Sequence, residues 1–525
     1  VNLVTVLREH ARSHPDTPAL LDPWGRHTRT TSFAELDQLS ARAAALLLRK
    51  KLQPGDVVLV LHPMSAELYV ALLAVFRLGM VVMALDPSAG IEHVERCCAL
   101  QPPRGLIASS KAHLLRIVSP AVRRIPVKLA IGWPVPGATR WATLHRMRPH
   151  PDVAPVDPDT SALLTFTSGS TGQPKGAVRT HGFLLAQHRA LEHSLTLTPG
   201  DVELATLPIV LLANLGSRVT SLVPDADLRR PGFIDPEPVV RQILEHRATS
   251  SVASPAFFER IARHCLGRGI TLPSLRKLFT GGAPVFPRLL DQLQQMAPNA
   301  DVVALYGSTE AEPIARLSRR ELDAADRHAM LAGRGLLTGP PVPEVALRIL
   351  RDHWGRPVGP FTSGEFDAHC CAVDEPGEIV VTGGHVLKGY LNRVGDHETK
   401  FRVDGETWHR TGDAGCLDGR GRLWLLGRCV GRIDDSRGQL YPFAAETAVY
   451  QDPQVKRAAV VAHGDKRLLV LEWHDPTRPG DVEAIRRGLV WAHVDEVRVW
   501  PRVPVDNRHN AKIDYPALHR QLAGG

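Results

Sequence analysis

A helical stretch followed closely by a short apolar strand recurs along this chain, and nothing else in the sequence restricts the fold as much. Residues 66–78 precede 81–85, residues 239–246 precede 250–253, and residues 289–296 precede 301–305. Short continuous apolar runs suit strands covered on both faces. Repetition of helix then strand therefore implies α/β layers, with helices covering a mostly parallel sheet. Residues 33–48 carry helical periodicity behind Thr31 or Ser32 as N-cap, and Leu3, Val6, Leu7 and His10 share a helical face at the start. A chain of 525 residues exceeds one core. The character shifts to shorter segments after Gly427 and Arg428. That shift predicts a large multi-sheet N-terminal domain, 1–427, and a small α+β C-terminal domain, 428–525.

Residues 167–176 interrupt this pattern. They hold three glycines, one proline, Lys175 and four hydroxyl side chains, Thr167, Ser168, Ser170 and Thr171, between the apolar run 162–164 and Ala177-Val178. The composition predicts a flexible loop joining two strands, with backbone N–H groups able to turn toward phosphate oxygens. Gly169 and Gly172 permit the turn, the hydroxyls add donors, and Lys175 adds positive charge. A surface linker of small polar residues would share the composition, but linkers seldom sit between two apolar strands. The P-loop is excluded by spacing. It needs Gly-Lys-Ser/Thr opening a helix, whereas Lys175 lies between Pro174 and Gly176 with no hydroxyl after it.

Further segments carry residues suited to chemistry. Gly281-Gly282-Ala283-Pro284 follows a strand expected at 275–279. Its glycines let a flat molecule lie near the backbone, and a plain strand-to-helix turn would read the same. Tyr306-Gly307-Ser308-Thr309-Glu310 follows the strand at 302–305. A tyrosine face can stack on a base, a threonine hydroxyl can bond a phosphate, and a carboxylate can hold magnesium through oxygen. Taken alone, these five residues read as a structural loop. Asp413 can accept from both hydroxyls of a ribose, or serve as a hairpin residue ahead of a turn at Asp418-Gly419. Lys512 stands in a polar segment near the C-terminus, where an isolated lysine is ordinarily solvated.

In their order, these motifs resemble the adenylate-forming superfamily, which includes acyl-CoA synthetases, peptide synthetase adenylation domains and luciferases. The run ending in Pro174-Lys175-Gly176, the Tyr-Gly-x-Thr-Glu segment, Thr411-Gly412-Asp413, Gly427-Arg428 and Lys512-Ile513 match its patterns in turn. The resemblance covers almost the whole chain, from the helix near Phe33 to Lys512. It implies an enzyme that uses ATP and magnesium on a small-molecule carboxylic acid. Thr167, Ser168, Gly169, Ser170, Thr171, Gly172 and Lys175 would hold the departing pyrophosphate. Gly281, Gly282, Ala283 and Pro284 would line the adenine and acyl site. Tyr306, beside Gly307, would stack on adenine, Thr309 would contact phosphate, and Glu310 would bind the metal. Asp413 would hold the ribose, with Arg428 its neighbour. The resemblance makes residues 428–525 a lid whose Lys512 bonds the substrate carboxylate and the α-phosphate, stabilising charge that grows on five-coordinate phosphorus.

Departures from the family bear on the second half of the reaction. Residues 207–214 are aliphatic until Asn214, where many acyl-CoA synthetases carry an aromatic residue and a histidine. A pocket containing Leu211, Asn214 and Gly281 is thus expected to favour an alkyl chain. The amino-acid code of peptide synthetases lacks its first aspartate here. The joint reads Arg428-Cys429-Val430-Gly431-Arg432, without the usual hinge aspartate or lysine, and Asn510-Ala511 replaces Ser/Thr-Gly before Lys512. Both features look like the branch of olefin β-lactone synthetases. The leading expectation is activation of a fatty acid to acyl-AMP with release of pyrophosphate, then transfer to CoA or a related thiol. Closure of a β-lactone by the substrate's own hydroxyl is the rival, and a nucleotide-binding protein without catalysis is the third reading.

Seven cysteines without C-x-x-C spacing suit a reducing cytoplasm. A net charge of +8 favours anionic substrates and allows peripheral contact with an anionic membrane surface. No run of five like charges suggests an arm for nucleic acid, and no apolar stretch reads as a membrane span.

Overall fold

The computed structural model describes residues 2–25, 27–86, 89–168, 174–505 and 513–523. They fall into two compact units. The first comprises Val1–Arg229, Glu237–Val252 and Gly389–Asp396, and the second Arg230–Pro236, Ala253–Lys388 and His397–Gly525.

A seven-stranded sheet dominates the first unit. Its spatial order is Thr139–Arg140, Val127–Ile131, Gly105–Ser109, Val57–Leu61, Val81–Ala84, Ser161–Ser168 and Pro174–Thr180. Neighbours run parallel except the last pair. Val57–Leu61 is buried at every position, as a strand covered on both faces requires. Helix Ile91–Leu100 supplies Val94, Cys97 and Cys98 to one covering layer, against Leu59, Met83 and Leu106. A second group of strands runs Ser250–Ala253, Val202–Ala205, Thr220–Leu222, Pro18–Trp24 and His27–Ser32. Ser32 then caps the helix Phe33–Arg49. Its hydroxyl accepts from the Glu35 N–H, and the Glu35 carboxylate accepts from the Ser32 N–H.

In the second unit Lys277–Gly281 pairs in parallel with Asp301–Ser308, which pairs antiparallel with Ala311–Ser318. A six-stranded antiparallel sheet follows: Leu336–Gly339, Leu423–Arg428, Glu406–Leu417, Gly377–Thr382 and Ala346–Leu350, with Lys400–Val403 against Glu406–Leu417. Beyond Arg428 come a small hairpin, the helix Pro442–Val449 and a three-stranded sheet, Val455–His463, Lys466–Trp473 and Glu496–Val499. These share a core of their own that includes Ala445, Val449, Val460, Leu469, Leu471 and Trp473. The molecule is thus the multi-sheet α/β protein its helix–strand alternation predicts. Among the described residues, no helix is long and apolar enough to cross a membrane.

Candidate active site

The second unit brings together residues from three of the sequence motifs. Asp413, on Glu406–Leu417, is the cross-strand partner of Arg428, on Leu423–Arg428. The Arg428 guanidinium donates to Asp413 Oδ1 at 2.7 Å, and the Tyr306 hydroxyl donates to Oδ2 at 2.7 Å. Burial, reinforced by the Asp413 charge, pushes the Tyr306 hydroxyl well above its ordinary pKa, so it remains the donor. Asp413 in turn raises Arg428. The Thr411 hydroxyl accepts from the Asp413 N–H at 3.0 Å and donates to the Ile379 carbonyl at 2.8 Å. A carboxylate has about four acceptor sites, so two remain for a vicinal diol.

The support behind this carboxylate is dense. Gly412 has φ +70°, and a Cβ there would come within 2.8 Å of the Trp354 ring. Arg410, two residues before it, is buried and donates twice to Glu378 Oε2, at 2.9 and 2.6 Å. Burial pushes Glu378 up to about 7 against the pull of Arg410.

Thr309 and Glu310 form a two-residue turn between antiparallel strands, with Ser308 opposite Ala311. Tyr306 and Gly307 are therefore strand residues, not loop residues. The Glu310 N–H donates to Ser308 Oγ at 3.3 Å, and the Glu310 carbonyl accepts from Leu387 N–H at 2.7 Å. These bonds hold the backbone and place the carboxylate at a hairpin tip. Close strand approach explains two glycines. A Cβ at Gly281 would lie 2.7 Å from the Leu305 carbonyl oxygen, and one at Gly307 would lie 2.9 Å from that of Ala311. Gly282, at φ +83°, turns the chain toward Ala283, Pro284 and the helix Pro287–Met296.

In the first unit Thr167 faces Lys175 across two antiparallel strands, and Ser168 faces Pro174. The strands run further into the glycine-rich motif than its composition suggests, because Thr and Phe favour extended chain. Lys175 is buried, its ammonium 5.8 Å from the Tyr390 ring centre and packed against Gly395. Gly169, Ser170, Thr171 and Gly172 lie outside the described residues, as does Lys512. Leu211 and Asn214 belong to the helix Pro208–Gly216 and are fully buried, Asn214 Nδ2 donating to Ser221 Oγ at 3.0 Å. A cavity of about 570 Å³, counted to its open mouth, lies against the same helix and is lined by Leu3, Leu7, Leu184, Ile209, Leu212 and Leu215 among others. Leu211 and Asn214 do not line it.

The described chain on either side of residues 506–512 is tied to the fold. Val505 and Ile513 form an antiparallel bridge, and Val503 N–H donates to the buried Glu472 at 2.8 Å. The Tyr515 hydroxyl donates to Glu446 Oε1 at 2.6 Å, which also accepts from Val460 N–H at 2.9 Å. Sequence reasoning did not find Glu446, Tyr515, Asp352 or Trp354. Asp352 Oδ2 accepts from Arg432 at 2.7 Å and from the Tyr441 hydroxyl at 2.9 Å. Its one local signal is an Asx turn, Oδ1 accepting from Trp354 N–H at 3.0 Å.

Known proteins with related chains are informative at this point. The family model described as "AMP-binding enzyme" matches residues 7–391. An olefin beta-lactone synthetase from Stenotrophomonas maltophilia (strain K279a) is 32% identical, covering 98% of this chain and 96% of its own. An indoleacetate–CoA ligase from Aromatoleum aromaticum (strain DSM 19018 / LMG 30748 / EbN1) is 29% identical, covering 87% of this chain and 84% of its own. The amide bond synthetase McbA from Marinactinospora thermotolerans shares the fold, with a TM-score of 0.79 at 22% identity over 99% of each chain.

Proposed function

The chain belongs to the AMP-binding enzyme family and is an AMP-forming acid ligase that uses ATP, and from that premise we propose that it closes a β-hydroxy fatty acid to a β-lactone. The observation that carries this reading is the likeness, over 98% of the chain, to an olefin beta-lactone synthetase. The unusual joint Cys429-Val430-Gly431 and the Asn510-Ala511 before Lys512 support it. Transfer to CoA, the leading expectation from sequence, becomes the second reading, supported by the likeness to an indoleacetate–CoA ligase over 87% of the chain.

In the proposed first step a carboxylate oxygen attacks the α-phosphorus of ATP, and the bond to the β-phosphate oxygen breaks. Pyrophosphate leaves toward the Thr167–Lys175 motif. Asp413, steadied by Tyr306 and Arg428, takes the ribose hydroxyls. Glu310 offers hard carboxylate oxygen at a hairpin tip, which fits a hard divalent cation, and magnesium there would neutralise phosphate charge. Lys512, on the lid formed by residues 428–525, stabilises the five-coordinate phosphorus. In the second step the substrate's β-hydroxyl oxygen attacks the acyl carbon. The bond from that carbon to AMP breaks, AMP leaves, and the hydroxyl proton passes to solvent. The aliphatic helix Pro208–Gly216 supports an alkyl chain as the rest of the substrate.

The test supplies a β-hydroxy fatty acid with and without CoA. Lactone and AMP formed without CoA support the proposal, whereas an acyl thioester that requires CoA overturns it in favour of the second reading. Lys512→Ala should lower acid-dependent pyrophosphate exchange by roughly 10²- to 10³-fold, the scale for removing a group that stabilises developing charge, with ATP affinity little changed. Unaltered exchange would remove Lys512 from the mechanism.

A further inference from the structure

Charge is distributed unevenly along this chain. Residues 96–151 contain ten arginines and lysines and no aspartate or glutamate. All 55 acidic residues lie elsewhere, so the excess positive charge of the chain, +8, is local to this segment. In the first unit the segment forms one edge of the seven-stranded sheet, through Gly105–Ser109, Val127–Ile131 and Thr139–Arg140. Helical turns over residues 112–118 and Pro120–Arg124 lie between the first two strands.

The uncharged side chains of these turns and of the residue that follows them include a buried set and an exposed set. His113, Val122 and Ile125 are buried and anchor the turns to the sheet. Leu114, Ile117 and Val118, at i, i+3 and i+4 on one helical face, are 60%, 71% and 51% exposed. Trp133, 83% exposed, stands on a loop tied to the same turns. Arg116 donates to the Pro136 carbonyl at 2.9 Å, and the Ser110 hydroxyl donates to the Trp133 carbonyl at 2.7 Å.

Cations stand on the same turns. Lys111, Arg123 and Arg124 are exposed, and none has an ion-pair partner among the described residues. Arg96 and Arg104 do pair, with Glu92 and Asp56. Glu95, the carboxylate that reaches the turns, is engaged by the Ser119 hydroxyl and by Ala121 N–H at 3.0 Å. Burial and the nearby Arg116 charge push the Lys128 pKa down, as expected where cations crowd without an acid between them.

Exposed aliphatic side chains and a tryptophan, on the same sheet edge as exposed lysine and arginine, suit a protein that rests in a bilayer interface. The apolar tips enter below the headgroups while the cations meet anionic phosphates. A site for nucleic acid would use the cations but has no need of the aliphatic face. We propose that this edge of the first unit docks the protein on an anionic phospholipid surface. The proposal goes beyond the reaction and is independent of which acceptor takes the acyl group.

Flotation of the full chain with vesicles tests it, using phosphatidylcholine alone and phosphatidylcholine mixed with phosphatidylglycerol. Binding should be at least tenfold tighter to the mixed vesicles and should weaken with salt, as surface cations near anionic lipid require. Arg123→Glu/Arg124→Glu and Ile117→Ser/Trp133→Ser should each lower that binding about tenfold or more, with pyrophosphate exchange on a short soluble acid unchanged. Absence of vesicle binding, or equal binding by both variants and the wild type, overturns the proposal. Two further outcomes also overturn it. One is retention on single-stranded DNA that only the charge variant loses. The other is a wild-type dimer that Ile117→Ser/Trp133→Ser dissociates.

Discussion

Tyr306 and Asp413 come from different sheets of the second unit, and the tyrosine hydroxyl lies 2.7 Å from the aspartate Oδ2. With Arg428 on the other oxygen, the carboxylate is oriented from two sides by the fold itself.

Asp413→Asn keeps the shape and removes the charge. Hydrogen bonds to a charged group contribute about 1.5–3 kcal/mol, so the KM for ATP in pyrophosphate exchange should rise roughly ten- to a hundredfold. Tyr306→Phe keeps the stacking face and should raise it only a few-fold. If both variants shift KM equally, Asp413 does not hold the nucleotide.

Trp354 limits what can stand at Gly412. Gly412→Ala would place a methyl group 2.8 Å from the indole in a backbone of φ +70°, displacing either Trp354 or the Asp413 strand. Such strain is on the order of 1–3 kcal/mol. The variant should bind ATP about tenfold more weakly, and Trp354→Ala in the same chain should restore part of the loss by making room. A double variant as weak as the single one, measured by calorimetry, would show that the indole is not the obstacle.

Arg432 and Tyr441, beyond the joint, both end on Asp352, whose side chain is 5% exposed. Asp352→Ala leaves the Tyr441 hydroxyl without this acceptor and leaves Arg432 with Asp434 as its remaining carboxylate, and should cost about 1–3 kcal/mol in urea denaturation. In a double-mutant cycle with Arg432→Ala, a coupling above about 1 kcal/mol is expected. Additive losses would count against the pair.

Glu446 gives stability a pH dependence. Burial pushes it up to about 7, above its ordinary 4.5. A carboxyl raised in the folded state keeps its proton there after the unfolded chain has lost it. Its contribution is therefore full below about pH 4.5, declines through the window up to about 7, and is lost above. Glu378 acts in the same sense, while His181 and His474, pushed down to about 4 by burial, act oppositely below about 6.5. The wild type should lose stability relative to Glu446→Gln as pH rises from 5 to 8. A constant difference in melting temperature across that range would contradict this assignment.

Local features were legible in the sequence. Of Thr31 and Ser32 the structure makes Ser32 the cap, and the helix behind them follows from short-range periodicity. So do the strand at 57–61 and the helices paired with strands further on. Tyr306, Asp413 and Arg428 were found by motif, and the structure joins them. The burial of Lys175 beneath Tyr390 and Gly395 was not legible, because its partners stand some two hundred residues away. Asp352, Trp354 and Glu446 escaped for the same reason. Each is an ordinary residue in its own segment and gains meaning only from tertiary neighbours. The run of cations without an acid could be read from the chain, but which apolar side chains it surrounds depended on the sheet edge.

Asp413 and Arg428 face each other across strands whose register shifts by one residue, between Ala414 and Gly415, before the turn at 418–422. Asp418 fixes that turn by accepting from Arg420 N–H, Arg422 N–H and the Trp424 indole. The shift leaves Leu426 extra on its strand, and removing that one residue would send Asp413 or Arg428 to the opposite face of the sheet unless the register were recovered elsewhere. In this chain the pair therefore depends on a bulge and on Asp418 as much as on its own two side chains.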